Sequence, residues 1–270
     1  MTRRSVKVVR TVLLTLSAAA LLACGSSGSD QAATGGSPAG GNKGTGGTTP
    51  TGGSTASTDG KLCSTPQALI SDFSQAQFGS ATTLAGGEYV YPTTGTYGLT
   101  SDFSGGNWHI SGTVGDYSGF GLYLDGCSHI DASAFKGISF KVSGTVEQGG
   151  GITLEISTLN DTITATWLNS HGGNVPATDP GRCLPPTTDV NQWAQSTCAE
   201  PQQVIPVTTT PTVQTILWSD FSGGKPEATV KASDITSIHW FFPNPDGIGS
   251  GTPTPYKVDI TIDDLSFIAQ

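Results

Sequence analysis

Short runs in which apolar and polar side chains alternate recur through the C-terminal two thirds of the chain, and they constrain the fold most strongly. In one run the apolar residues Phe120, Leu122 and Leu124 stand at every second position, and Gly119, Gly121 and Tyr123 occupy the alternate positions. We call these two alternating sets of positions the two parities of the run. The same alternation recurs at Ile138, Phe140 and Val142, at Ile152, Leu154 and Ile156, and at Val258, Ile260 and Ile262. A period of two is that of a β-strand with one buried face. The pattern predicts an all-β fold.

Within the all-β class, a two-sheet antiparallel β-sandwich is favoured over a barrel or a propeller, because no repeat of blade length is visible. In the last strand the apolar parity shifts by one position after Ile262, to Leu265 and Phe267. Such a shift predicts a β-bulge at Asp263 and Asp264, since these apolar side chains would otherwise face solvent. Trp108 and Trp240 share the parity of the apolar residues around them, which favours core positions for both.

A compositional boundary places this sandwich in residues 61–270. Residues 25–60 contain no Ile, Leu, Val or aromatic residue and consist of Gly, Ser, Thr, Ala, Pro and a few polar side chains. A segment without apolar side chains has nothing to bury, so residues 24–60 are predicted to be a disordered tether.

The N-terminus has the residue pattern of an export signal. Arg3, Arg4, Lys7 and Arg10 precede an apolar stretch over 11–22, and Leu21-Leu22-Ala23-Cys24 resembles the lipobox of bacterial lipoproteins. We expect cleavage after residue 23 and lipidation of Cys24, with Gly25 compatible with export to the outer membrane. An ordinary signal peptide with a chance cysteine is one alternative. A transmembrane helix is the other, but the stretch is short for a bilayer and has signal-peptide flanks.

Charge and cysteine content agree with export. Removing 1–23 leaves 8 Lys and Arg against 21 Asp and Glu, a net charge of −13 that disfavours a nucleic-acid partner. Four cysteines remain in the domain: Cys63, Cys127, Cys183 and Cys198. Three pairings are open, of which we favour a local Cys183–Cys198 disulfide across a proline-rich loop, with Cys63 and Cys127 paired by elimination.

Motifs for catalysis are sparse. After the tether the glutamates are Glu88, Glu147, Glu155, Glu200 and Glu227, and none forms the closely spaced acidic motif of sandwich glycanases. The sequence lacks a Gly-x-Ser-x-Gly motif, and its four histidines are dispersed without zinc spacing. A non-catalytic function is therefore expected.

Several segments resemble the galactose-binding-like jelly rolls, and family 11 carbohydrate-binding modules in particular. These segments are Leu69–Phe73, Tyr117–Leu122, Asp131–Phe140 and Val258–Phe267. The resemblance implies a jelly roll that binds glycan, and a β-glucan is one such ligand. Family 11 modules often hold a structural calcium where the first and last strands meet, and Asp72 and Asp264 match the acidic positions of those motifs. Because these aspartates also suit local backbone capping, calcium remains one of two readings.

Sugar recognition calls for aromatic rings that stack on sugar faces, with polar groups beside them. Strand parity gives the candidates: Tyr123, Lys141, Glu155, His239 and Phe241 have the parity opposite to the core, and Trp167 lies at the mouth of the long loop. The sequence thus predicts a monomeric, lipid-anchored cell-envelope protein that binds polysaccharide without catalysis. The alternatives are a structural or protein-interaction domain of the envelope and, third, a hydrolase with two carboxylates in one cleft.

Overall fold

The computed structural model of the protein describes residues 66–75, 84, 86–93, 97–124, 129–173, 175, 181–190, 194–247 and 251–270. Cys24, Cys63 and Cys127 lie outside these residues, as do the segment 1–23 that is predicted to be a signal peptide and the predicted tether 24–60. None of the helices in the described ranges is long and apolar enough to span a bilayer.

The described chain is built almost entirely of β-strands. They are β1 Leu69–Ser71, β2 Gly87–Tyr91, β3 Leu99–Asp102, β4 Trp108–Val114, β5 Gly119–Tyr123, β6 Phe135–Val146, β7 Gly151–Thr158, β8 Gln202–Pro206, β9 Thr212–Leu217, β10 Ile235–Phe241 and β11 Tyr256–Ala269. One short α-helix, α1 (Ala165–Ser170), and two 3₁₀ turns, Trp218–Asp220 and Ala232–Asp234, interrupt them. The predicted all-β fold is confirmed.

The strands form two antiparallel sheets. Sheet 1 has the order β3-β4-β11-β6-β9, with β1 also paired to β11, and sheet 2 has the order β2-β5-β10-β7-β8. Strands that are adjacent in a sheet are mostly distant in sequence, so the architecture is the predicted jelly-roll sandwich rather than a meander of hairpins.

Period-two alternation positions the core between the sheets. Phe120 and Leu122 of β5 are completely buried, and so are Leu154 and Ile156 of β7. The two core tryptophans meet across the sandwich: Trp108 of sheet 1 and Trp240 of sheet 2 lie edge to face with ring centroids 5.9 Å apart. Their predicted core positions are confirmed.

The last strand changes parity where the sequence predicts a bulge. The register between β11 and β6 shifts between Asp263 and Ser266, and Asp264 has a left-handed backbone with φ of 50°. The extra residue turns Leu265 and Phe267 back toward the core, where both are buried. The predicted bulge is confirmed.

A smaller hydrophobic cluster lies beside the sandwich, around α1. Ile163, Trp167 and Leu168 pack there with the disulfide formed by Cys183 and Cys198. Thr164 caps the helix by accepting a hydrogen bond from the backbone N–H of Trp167. The predicted local disulfide is confirmed, and it closes the segment that leads directly into β8.

Candidate functional site

The outer face of sheet 2 carries a group of aromatic side chains that three strands bring together. In the central row of this face, Tyr89 of β2 is opposite Gly121 of β5, which is opposite His239 of β10. His239 in turn is opposite Glu155 of β7. Because these residues occupy the same parity on neighbouring strands, their side chains share one face, the one turned away from the core.

Two glycines in β5 allow tyrosines from the edge strand to lie across the sheet. A Cβ atom on Gly119 would stand 2.5 Å from the Tyr91 hydroxyl oxygen and 2.9 Å from His239 Nε2. A Cβ atom on Gly121 would collide with the ring of Tyr89. The Gly-Phe-Gly sequence of β5 therefore combines a core residue, Phe120, with two gaps that the tyrosines fill.

Six rings form a contiguous array, which we call the tyrosine face: Tyr89, Tyr91, Tyr117, Tyr123, His239 and Phe241. Ring centroids are 4.9 Å apart for Tyr89 and Tyr123, 5.4 Å for Tyr91 and Tyr117, and 6.1 Å for Tyr117 and Phe241. His239 lies among them, 5.6 Å from Tyr91 and 5.9 Å from Tyr89. Tyr117 is 48% exposed and Tyr123 37% exposed, so the array includes rings that are open to solvent.

A hydrogen-bonded chain runs through the centre of the tyrosine face. His239 Nδ1 lies 3.1 Å from Glu155 Oε1, and His239 Nε2 lies 2.6 Å from the Tyr91 hydroxyl. Burial raises the pKa of Tyr89 and Tyr91 above its ordinary value, so these phenols are neutral hydrogen-bonding groups at physiological pH.

Glu200 adds a second carboxyl group to the same face. The carbonyl of the next residue, Pro201, accepts a hydrogen bond from the N–H of Ile156 at 3.2 Å, which extends the pairing of β7 with β8 to this point. Thr162 Oγ1 donates a hydrogen bond of 3.2 Å to Glu200 Oε1. Burial of the carboxyl group, together with the nearby charge of Glu155, raises the pKa of Glu200 to about 8. At neutral pH Glu200 therefore favours its protonated form beside Glu155.

Beyond Glu155 the face continues as a shallow depression at the sheet edge. Its volume is about 550 Å³, and Thr153, Gln202, Val204 and Ser222 line it. Amide, hydroxyl and apolar groups thus extend the face from the aromatic array toward β8. Such a surface combines stacking platforms with hydrogen-bonding groups at their sides.

Four of the six predicted ligand residues lie on the tyrosine face or border it: Tyr123, Glu155, His239 and Phe241. The structure does not bring the other two there. Lys141 belongs to β6 on the outer face of sheet 1 and forms an ion pair with Asp264. Trp167 is buried in the second cluster, where its ring stacks on His171 with centroids 3.7 Å apart.

Sequence reasoning missed Tyr89, Tyr91, Tyr117 and Glu200. For the first two a signal existed: in β2 they alternate with Glu88 and Val90, and period two would have assigned both tyrosines to one face. Glu200 gave no such signal, because it precedes β8 in a segment without alternation and approaches Glu155 only through strand pairing.

The two aspartates predicted as calcium ligands lie at neighbouring positions, since Ser71 of β1 is opposite Leu265 of β11. Asp72 Oδ1 accepts a hydrogen bond from the N–H of Ser74 at 3.0 Å, and Lys141 pairs with the Asp264 carboxylate. Among the described residues there is no group of three or more His, Cys, Asp or Glu that could hold a metal ion. Calcium takes six to eight oxygens, and of these the two aspartates supply carboxylates here, one of which is paired with a lysine.

Comparison with known proteins shows likeness in structure only. No protein-family model matches the sequence. No curated protein matches it either. The fold is similar to that of the family 11 carbohydrate-binding module of a cellulosomal cellulase of Clostridium thermocellum, at 14% identity over 77% of this chain and 97% of that one, with a TM-score of 0.44.

Two further solved structures are similar to this chain. A family 29 carbohydrate-binding module matches at 11% identity, over 76% of this chain and 91% of that one, with a TM-score of 0.35. An agarase matches at 8% identity and a TM-score of 0.43, over 76% of this chain but only 26% of the agarase. At these identities the likeness concerns the jelly-roll fold, and the evidence for a site is the arrangement of this chain's own residues.

Proposed function

We propose that this domain is a non-catalytic glycan-binding module and that the tyrosine face is its binding site. The observation that carries the proposal is the contiguous ring array on the outer face of sheet 2, with Glu155 and His239 hydrogen-bonded in its centre. Aromatic rings stack on the apolar faces of sugars, while carboxylate, imidazole and phenol groups satisfy sugar hydroxyls.

A β-glucan is the particular glycan that we propose as the first ligand. Its support is the resemblance of the sequence motifs to family 11 modules. An extended chain of β-linked glucose presents flat pyranose faces in succession, and the spread of rings from Tyr123 to Phe241 offers several stacking positions for such a chain.

Calorimetric titration of a mixed-linkage β-glucan into wild type, Tyr123→Ala and Phe241→Ala tests the site. Each substitution should weaken binding by roughly ten-fold, since a stacked ring contributes about 1 kcal/mol or more beyond its buried area. Leu217→Ala is the matched control, because Leu217 is as exposed as Tyr123, at 37%, but belongs to sheet 1. Equal binding heats from all four proteins would rule out the tyrosine face as the glycan-binding site.

We propose that the protein is a monomeric lipoprotein of the cell envelope and that lipid on Cys24 anchors it to the outer membrane. The support is the lipobox, the absence of apolar residues from 25–60 and the disulfide-forming cysteines. Cys24→Ser should release the protein from the membrane fraction. Unchanged partitioning of this variant into detergent would contradict the anchor.

A structural or protein-interaction role in the envelope is the alternative that the sequence left open. It corresponds to a face of small hydroxyl side chains, and the outer face of sheet 1 carries Ser111, Thr113, Ser139 and Ser143, although charged residues such as Lys141 lie among them. The rings of the tyrosine face favour sugar instead. A structural calcium remains a prediction, and an unchanged melting temperature in excess chelator would count against it.

Hydrolysis is a second candidate because one observation favours it: Glu200 lies near Glu155 on the ring-bearing face, where burial and the charge of Glu155 raise the pKa of Glu200. Glycosidases use such a pair as acid and base or nucleophile. Incubation with β-glucan and measurement of new reducing ends decides between the two functions. Release of reducing ends by wild type but not by Glu155→Gln would make the domain an enzyme.

A further inference from the structure

The hydrogen bonds of the tyrosine face have a defined direction. To bond the Glu155 carboxylate, His239 Nδ1 must carry the proton, and in the neutral imidazole Nε2 is then an acceptor. With the imidazole in this neutral form, Tyr91 donates its hydroxyl proton to Nε2. Tyr91 and His239 thus use their protons within the face, whereas the Glu155 carboxylate, bonded to His239 through one oxygen and 19% exposed, keeps its second oxygen as an acceptor for a ligand.

Apart from His239, the ionisable side chains in the strands of sheet 2 are glutamates and tyrosines. The sequences of β2, β5, β7, β8 and β10 contain no lysine or arginine. Strands of sheet 1, by contrast, carry Lys136, Lys141 and Lys257. The tyrosine face thus offers carboxylates and ring faces without a lysine or arginine in its strands, and an acidic sugar would meet repulsion there.

Resting on the glycan-binding function proposed above, we propose that the face selects amino sugars with free ammonium groups over their N-acetylated and acidic counterparts. An ammonium group brings up to three donors to a face that supplies acceptors. It forms charge-assisted hydrogen bonds with carboxylates and is attracted to the faces of tyrosine rings. A glucosamine unit can thus stack its apolar face on the aromatic rings while its ammonium group binds the acceptor oxygens beside them.

Glu200 strengthens this preference through its proton. The carboxyl favours its protonated form next to Glu155, because burial and like charge oppose ionisation. An ammonium group on the face would supply the missing positive charge and allow both carboxylates to ionise. A neutral sugar brings no positive charge to offset the two carboxylates, so this gain in binding free energy is specific to a cationic sugar.

The experiment is a calorimetric comparison at neutral pH with the full-length chain. The probes are a β-1,4-linked glucosamine tetrasaccharide, its fully N-acetylated counterpart, tetragalacturonate and a mixed-linkage β-glucan tetrasaccharide. We expect the glucosamine tetrasaccharide to bind roughly ten-fold more tightly than the acetylated one, as a single charge-assisted contact provides. Added salt should lower this ratio.

Glu200→Gln should bring the ratio toward one. Glu88→Gln is the matched control, because it removes a charge from β2 of the same sheet at a position of opposite parity, and it should leave the ratio unchanged. If Glu200→Gln fails to fold, the affinity ratio of the two sugars for the wild type, and its dependence on salt, still test whether the face selects amino sugars. Equal or tighter binding of the acetylated sugar or of tetragalacturonate would overturn the selectivity alone. Failure of all four sugars to bind would overturn glycan binding as well.

Discussion

Replacing Glu200 by glutamine should stabilise the protein in alkaline solution and have little effect in acid. The pKa of Glu200 is raised from 4.5 to about 8 in the folded state, so folding favours the protonated carboxyl. Its favourable contribution is complete below pH 4.5 and is lost as pH rises toward 8. Glutamine has the shape of the protonated acid, can retain the hydrogen bond from Thr162 and does not titrate in this range.

The magnitude follows from the size of the pKa rise. At 1.36 kcal/mol per pKa unit, a rise from 4.5 to about 8 gives an upper bound of about 5 kcal/mol. Because Glu200 is only partly buried and solvent screens its charge, we expect Glu200→Gln to gain about 2–4 kcal/mol above pH 8. For a domain of this size that is a rise in melting temperature of roughly 5–15 °C.

Urea unfolding followed by tryptophan fluorescence, at pH values from 4.5 to 9, measures the effect. The free-energy difference between Glu200→Gln and wild type should grow with pH, whereas Glu88→Gln, at an exposed position of β2, should show no such trend. A variant that is no more stable than wild type above pH 8, or a difference that is constant with pH, would refute the reasoning.

Three further outcomes test the fold and the site. Gly121→Ala should weaken glycan binding by displacing Tyr89, and unchanged affinity in a folded variant would show that the ring position is irrelevant. Cys183→Ser paired with Cys198→Ser should cost about 3 kcal/mol in urea unfolding, as expected for a loop of this length, and no loss would indicate a disulfide without stabilising effect. Phe140→Ala, at a fully packed core position, should cost roughly 3–5 kcal/mol, and a value below about 1 would contradict close packing there.

Strand parity was the most reliable signal in the sequence. It correctly assigned Phe120, Leu154 and Ile156 to the core, because the alternation of side chains is a local property of extended backbone. It also predicted the bulge at Asp263 and Asp264, since an extra residue is what allows apolar side chains on both sides of a parity change to face the same core. The local Cys183–Cys198 bridge followed from proximity along the chain.

Parity failed where a site depends on which sheet a strand joins. Lys141 and Tyr123 both have the outward parity of their strands, yet β6 lies in sheet 1 and β5 in sheet 2, so their side chains face opposite sides of the sandwich. The position of Trp167 was undecidable from parity, because α1 and the disulfide build a separate cluster that buries it.

The sequence by itself determined the class of the fold, the residues of its core and the local bridge, since each depends on neighbours along the chain. Only the tertiary structure decided the site. The hydrogen bonds joining Tyr91, His239 and Glu155 connect strands that are 148 and 84 residues apart, and Glu200 reaches Glu155 only because β8 pairs with β7. Burial and like charge then change the protonation of Glu200, and both arise from groups that folding brings together rather than from the residue itself.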